Sequence, residues 1–295
     1  MSDTPTIGWI GTGVMGGAMA GHLLAAGYEL RVFNRTRSRA DDLVGAGAHW
    51  SDSAADLAAH SDVVFTMLGY PADVREMLLG DGGVIAAMRP GSLIVDMTTS
   101  EPSLAVEVHA VAAERDLQSL DAPVSGGDVG ARNAALVIMV GGEQAAFERA
   151  EPMFDKLGRL AVLHGDAGSG QHTKMVNQIA IASGMIGVCE AMLYAQRAGL
   201  DVEKVIDTIK DGAAGSWSLS NYGPRLLNDD LEPGFKIDHF VKDLGIALQE
   251  ARRMRLPLTG TALAEQLYVA AQAQGFGAKG TQALLATLAQ IAGER

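Results

Sequence analysis

In the stretch "GDAGSGQHTKMVNQ", residues 165–178, one ammonium and two carboxamides fall within a single helical turn. Lys174 is followed at three and four residues by Asn177 and Gln178, a spacing that puts all of them near one face. Close to a helix N-terminus and among apolar neighbours, the charged form of a lysine is disfavoured. A lysine that can lose its proton can accept or donate one, so Lys174 is the candidate general acid/base. Asn177 or Gln178 would hold a substrate oxygen or the lysine itself. The plain alternative is a lysine that carries its charge out to solvent along its stem.

A second constellation is "DAPVSGG", residues 121–127. Ser125 offers a hydroxyl, and Gly126 and Gly127 can expose consecutive backbone N–H groups, a nest suited to a carboxylate. It could equally be a turn. Asp121 reads as a residue that caps or orients this loop. The third constellation is "GTGVMG", with Gly11, Thr12, Gly13, Val14, Met15 and Gly16. It lies between a short buried strand and a helix at the start of a βαβ unit. There Gly11 permits the turn, Gly13 admits a pyrophosphate and Gly16 lets helix pack on strand, while the helix N-terminus offers free N–H groups to the anion. At the end of the next strand, where an acidic residue would bind the ribose of NAD, the chain has Asn34, Arg35, Thr36 and Arg37. An arginine and a hydroxyl suit a 2′-phosphate, so NADP is the expected cofactor, with NAD possible.

These groups need elements to position them. The first half alternates strands with helices: "TIGWIG", "ELRVFNR", "DVVFTML", "SLIVDMTT", "LQSLDAPV", "ALVIMVGG" and "LAVLHG" are strand-like, with helical stretches or turns between. That alternation implies a mostly parallel sheet covered on both faces. After Gly170 the strand pattern stops, and a long apolar helix is expected over about 171–199, followed by more helices. The expected fold is therefore α/β, a Rossmann-type doubly wound sheet over 1–164 followed by an all-α domain over 165–295. Trp217, in "GAAGSWSLSNYGP", packs at a helix end or closes over a cleft.

Composition narrows the partners. With 295 residues and a net charge of −12 the chain is a poor fit to nucleic acid or an anionic membrane surface. Its single cysteine, Cys189, cannot form an internal disulfide, and no targeting segment is visible, which together point to the cytoplasm. No metal-spaced histidine or cysteine cluster is present, so no metal is expected.

With "GWIGTGVMGGAMAGHLL", "DAPVSGG", "GDAGSGQHTKMVNQ" and "FKIDHFVKDL" in this order, the chain resembles the β-hydroxyacid dehydrogenase family over nearly its whole length. That family includes 3-hydroxyisobutyrate dehydrogenases and tartronate semialdehyde reductases. The resemblance implies a cleft between a Rossmann-type and a helical domain, and a homodimer or homotetramer. By position it gives Lys174 the catalytic role and Ser125, Gly126 and Gly127 the substrate loop. It places Leu68 and Thr99 on the nicotinamide side and makes Lys242 a cofactor contact. The chain departs from the family at His22 and Gln178, where asparagine is common, and "ARNAAL" lacks a glycine often found after the substrate loop. The expected reaction interconverts a small β-hydroxy acid and its semialdehyde or keto form. Reduction of an imine or another carbonyl on the same scaffold is the alternative, and a non-catalytic NADP-binding module is a third reading.

Overall fold

The computed structural model describes residues 4–293. The chain divides into two compact units that meet between Lys174 and Met175. The sequence reading put the division at the end of the last strand, before residue 165. The unit boundary lies further along because the first turn of the long helix is hydrogen-bonded into the sheet, as detailed below.

In the first unit the strands are β1 Ile7–Ile10, β2 Leu30–Phe33, β3 His49–Trp50, β4 Val63–Thr66, β5 Leu93–Asp96, β6 Gln118–Asp121, β7 Val124–Ser125, β8 Leu136–Gly142 and β9 Gly158–Leu163. The helices are α1 Val14–Ala25, α2 Asp41–Gly45, α3 Ala54–Ala59, α4 Pro71–Leu79, α5 Val84–Ala87, α6 Pro102–Ala113, α7 Gly127–Arg132 and α8 Gln144–Leu157. The strand order is β3-β2-β1-β4-β5-β6-β8-β7, with β9 beside β8. Strands β3 through β6 run parallel; β8 is antiparallel to β6 and β7 and parallel to β9. Because β1, β4 and β5 are buried along their length, they read as continuous apolar runs rather than alternations. One face of the sheet packs Trp9, Phe65, Val95 and Ile138 against α1 and α8; the other packs Ile10, Val64 and Ile94 against α3 to α6. Trp9 stacks on Phe65 with ring centroids 5.3 Å apart.

The helical unit is built on α9, Ser169–Arg197, with α10 Val202–Ile209, α11 Trp217–Leu227, α12 Ile237–Arg253, α13 Thr259–Ala273 and α14 Leu284–Ile291. Its core gathers Met185, Cys189 and Met192 of α9 with Phe240 and Leu244 of α12 and Tyr268 of α13. Burial pushes the Cys189 thiol up to about 12, which leaves it an inert apolar side chain. Helix α11 carries Gly223 and Pro224, both poor helix residues by local propensity. Ser216 caps it by accepting the Leu219 N–H at 3.0 Å, and Leu219, Tyr222 and Leu226 share its buried face. Trp217 lies in its first turn, mostly exposed, edge-on to Tyr222 at 5.2 Å.

The "ARNAAL" turn holds a strained residue. Ala134, in the turn between α7 and β8, has φ +50°, a left-handed conformation that costs an L-residue roughly 1–2 kcal/mol. Ala134→Gly should therefore stabilise the fold by about 0.5–1 kcal/mol after the greater freedom of an unfolded glycine is subtracted. Chemical denaturation of the two proteins reads this directly, and an unchanged or lower midpoint would show that the strain is relieved elsewhere.

Candidate active site

The glycine loop sits at the C-terminal end of β1, where α/β sheets bind ligands. A Cβ on Gly11 would lie 2.2 Å from the Met67 carbonyl oxygen, and one on Gly16 would lie 1.9 Å from that of Gly11, so the loop after β4 can approach the end of β1 only with glycine at 11, and α1 only with glycine at 16. At Gly13 a Cβ would meet nothing within 4 Å, which leaves an open cradle before the first turn of α1. Thr12 is buried, its hydroxyl has no partner among the described residues, and no acidic side chain stands in that first turn. An orphaned hydroxyl, an open glycine and a helix N-terminus together fit a dinucleotide pyrophosphate. Val14 is exposed and Met15 half-buried at the same helix start.

Asn34 ties the end of β2 to this loop. Its side-chain oxygen accepts the Thr12 N–H at 3.1 Å and its amide donates to the Thr36 carbonyl at 2.9 Å. Arg35 projects with its side chain 92% exposed, 4.0 Å from Asp73, and Thr36 beside it is exposed. Arg37 is turned away, its guanidinium 5.2 Å from the centre of the Trp50 ring. Arg37 is thus engaged with an aromatic ring, leaving Arg35 and Thr36 at the loop tip.

Past β4 and β5 the loops are locked to each other. Leu68 N–H donates to Thr98 Oγ1 at 2.9 Å, and Asp96 accepts from Thr66 Oγ1 at 2.7 Å and from the Thr98 N–H at 3.1 Å. Thr99 lies half-buried between Thr98 and Ser100. Asp96 pairs in register with Asp121 on β6. Burial raises Asp96 to about 6 against the pull of its hydrogen bonds, and burial raises Asp121 as well.

Asp121 opens the second constellation. Its two oxygens accept the N–H groups of Gly168 at 2.7 Å and Gln171 at 2.8 Å. Beyond it Ser125 ends β7, and Gly126 and Gly127 take φ +131° and +61°, angles that favour glycine. They lead into α7, a short helix hidden in the sequence behind its glycines. His22 on α1 braces that helix through a 2.9 Å contact between Nε2 and the Ala131 carbonyl oxygen. Gln171 at the start of α9 is fully buried; its side chain accepts the Ser100 N–H at 2.9 Å and donates to the Thr98 carbonyl at 2.7 Å. Lys174 follows three residues later and is itself only 7% exposed.

In the helical unit the two carboxamides form a chain. Asn177 donates to the Gln178 side-chain oxygen at 2.8 Å, and Gln178 donates to Asp243 at 2.6 Å. Lys242 Nζ stands 3.0 Å from the other Asp243 oxygen. Gln178 and Asp243 are buried, and Asn177 is half-buried. Gln178 therefore orients Asn177 and anchors α9 to α12. The residues missed from sequence are Asp96, Gln171 and Asp243. For each, the neighbours in sequence give no hint of the distant backbone group or side chain it meets.

Residues 6–166 match the family described as the NAD binding domain of 6-phosphogluconate dehydrogenase. Residues 168–288 match the NAD-binding domain of NADP-dependent 3-hydroxyisobutyrate dehydrogenase. The chain is 52% identical to a probable 3-hydroxyisobutyrate dehydrogenase-like protein of Arabidopsis thaliana over 97% of this chain and 85% of that one. It is 38% identical to the 2-hydroxy-3-oxopropionate reductase of Escherichia coli, over 98% of this chain and 99% of the reductase. A structure of Mycobacterium tuberculosis 3-hydroxyisobutyrate dehydrogenase with L-serine superposes with a TM-score of 0.89 at 32% identity, covering 97% of this chain and 99% of that one.

The buried carboxyl at Asp96 gives the site a pH signature. Its folded-state value of about 6 lies above the ordinary carboxyl value of 3.8, so the protonated form is favoured by folding. The corresponding stability is fully present below about 3.8 and is lost as pH rises through about 6. Asp96→Asn should flatten that dependence: thermal melts of the wild type, compared with the variant, should fall progressively between those two pH values. Parallel curves for the two proteins would show that Asp96 is ionised throughout.

Proposed function

The chain belongs to the β-hydroxyacid dehydrogenase family, and from that premise we propose that it interconverts a small β-hydroxy acid with its semialdehyde or keto form, with Lys174 as the general acid/base and NADP as the preferred cofactor. The observation that carries the reading is a buried lysine one helical turn after a fully buried clamp residue and one turn before Asn177. When bound, the nicotinamide supplies the hydride chemistry. The protein supplies position and proton transfer. In oxidation Lys174 takes the proton of the substrate hydroxyl; in reduction it returns a proton to the developing alkoxide. Ser125 and the amides at Gly126 and Gly127 hold the substrate carboxylate, and Asn177 steadies the reacting oxygen while Gln178 holds Asn177. Gly11 to Gly16 cradle the pyrophosphate, Leu68 and Thr99 line the nicotinamide side, and Lys242, paired with Asp243 on α12, is assigned to the cofactor.

A turnover screen in both directions, with both cofactors, tests the reading. The panel is 3-hydroxyisobutyrate, glycerate, 3-hydroxypropionate, serine, tartronate semialdehyde, glyoxylate and succinic semialdehyde. Lys174→Ala should lower turnover by ~10²–10⁴-fold with cofactor affinity nearly intact. Lys174→Arg should not restore it, because a guanidinium stays protonated. Near-normal turnover with weak substrate binding in Lys174→Ala would make the lysine a carboxylate anchor instead.

The cofactor preference rests on Arg35 and Thr36 at the loop tip and on the absence of a carboxylate at Asn34. Replacing Arg35 with aspartate should weaken NADPH more than NADH by roughly 1.5–3 kcal/mol, the worth of a charge-assisted contact. Titrating both cofactors against both proteins reads the difference, and a wild type that binds NADH more tightly would sink the assignment.

We further propose a homodimer or homotetramer in the cytoplasm. By length and composition α9 could cross a membrane, and only 33% of its apolar window is buried within the chain. Val176 and Tyr194 on this helix are 66% and 75% exposed. A second copy covering that face supports the assembly, and Cys189, single and buried, suits a reducing compartment. Light scattering should return a multiple of the chain mass at micromolar concentration; a monomer would refute the assembly.

A further inference from the structure

Three segments given separate tasks by the proposed mechanism converge on two side chains that take no part in the chemistry. The loop after β5 carries Thr99, the segment after β6, β7 and its turn into α7, carries Ser125 to Gly127, and the first turns of α9 carry Lys174. Gln171 brackets Thr99: its side chain accepts the N–H of Ser100 on one side and donates to the carbonyl of Thr98 on the other. Through its own N–H the same residue donates to Asp121, which also accepts Gly168. Gln171 is fully buried and Asp121 nearly so, so these bonds face no competing water. All of them join groups within the first unit.

We propose that Gln171 and Asp121 are positioning residues: they lock the nicotinamide-side loop, the substrate loop and the turn bearing Lys174 into one rigid body, and so set the distance over which the proton moves. The inference rests on Lys174 being the acid/base. Its physical content is that turnover depends on hydrogen bonds made by Gln171 three residues away from Lys174. Misplacement of a reacting group by about 1 Å costs on the order of 10²-fold in rate.

Two variants separate positioning from packing. Gln171→Met keeps the approximate volume and removes both side-chain hydrogen bonds. Gln171→Glu keeps both only as the neutral acid, when its hydroxyl can donate to Thr98 and its carbonyl can accept from Ser100; as a carboxylate it opposes the Thr98 carbonyl. Other ionisable groups on the elements around this site are Asp121 and Asp96 on the strands, Glu101 beside Ser100, His109 on α6, and His172 and Lys174 on α9. All are common to wild type and variants, so rates are compared as ratios to the wild type at each pH.

The expected result uses the full-length protein, NADPH and the substrate identified by the panel, with rates normalised to cofactor-binding sites. Gln171→Met should lose ~10–100-fold in kcat while its Kd for NADPH stays within about threefold. The ratio for Gln171→Glu should climb toward the wild type as pH falls, while that for Gln171→Met stays level. A per-site kcat equal to the wild type in either variant at every pH, or two ratios with the same pH dependence, would overturn the proposal. If Gln171→Met does not fold, the pH series of Gln171→Glu decides alone. Lys174→Ala run alongside keeps the premises apart: its retained turnover would refute the acid/base assignment, whereas its loss beside fully active Gln171 variants would refute only the clamp.

Discussion

The structure depends on a carboxylate buried at the end of a strand. Asp121 receives the N–H groups of Gly168 and Gln171, the donors that the start of a long helix would otherwise leave without partners. In exchange, the helix N-terminus supplies the partial positive charge that an ion needs in so dry a place. Neither side would be tolerable alone. This mutual requirement explains why the first turn of α9 belongs to the sheet unit although the rest of the helix belongs to the other.

The same contact accounts for the glycines before Lys174. A Cβ on Gly170 would fall 2.5 Å from the Met139 carbonyl oxygen and 2.6 Å from that of Asp121. On the facing strand, a Cβ on Gly141 would meet the Gly170 and Ser169 nitrogens at 2.7 and 2.8 Å. The helix start lies against the strands at a separation that side chains would prevent. Gly16 on Gly11 repeats the device at the first helix. In both places bare backbone lets a helix N-terminus come down onto the sheet edge where ligands bind.

Much of this was legible in the chain. The doubly wound sheet followed from alternating apolar strands and helices, and the helical half from the loss of that alternation after Gly170. The glycine loop could be read because Gly11 and Gly16 answer local steric demands and Gly13 leaves room for a ligand. Helices α7 and α11 were hidden because glycine and proline argue against helix locally, whereas a Ser216 cap and a shared buried face outweigh them. Within the site, Lys174 and Ser125 stand in recognisable motifs, but the work of Gln171 and Asp243 depends on groups distant in sequence. The two carboxamides could not be told apart by spacing alone. Burial separates them: Gln178 spends its oxygen on Asn177 and its amide on Asp243, which leaves the half-buried Asn177 nearer to solvent.

The charge pattern bears on which substrates the proposed reaction admits. A chain of net charge −12 has no general attraction for a carboxylate, and beyond roughly 8 Å at physiological salt its repulsion is largely screened. Recognition must come from groups at contact distance. Arg132, the cation nearest the substrate loop in sequence, is engaged with Asp128 at 2.7 Å. In the proposed reaction the donors are neutral, the Ser125 hydroxyl and the amides of Gly126 and Gly127, with Lys174 the ionisable group among the proposed substrate contacts. Neutral donors hold one small carboxylate without the long reach of a guanidinium fork. They leave the lysine free of a permanent cationic neighbour in that loop. In the proposed reaction that matters in both directions, because the same amine must give up its proton to work as a base and carry one to work as an acid.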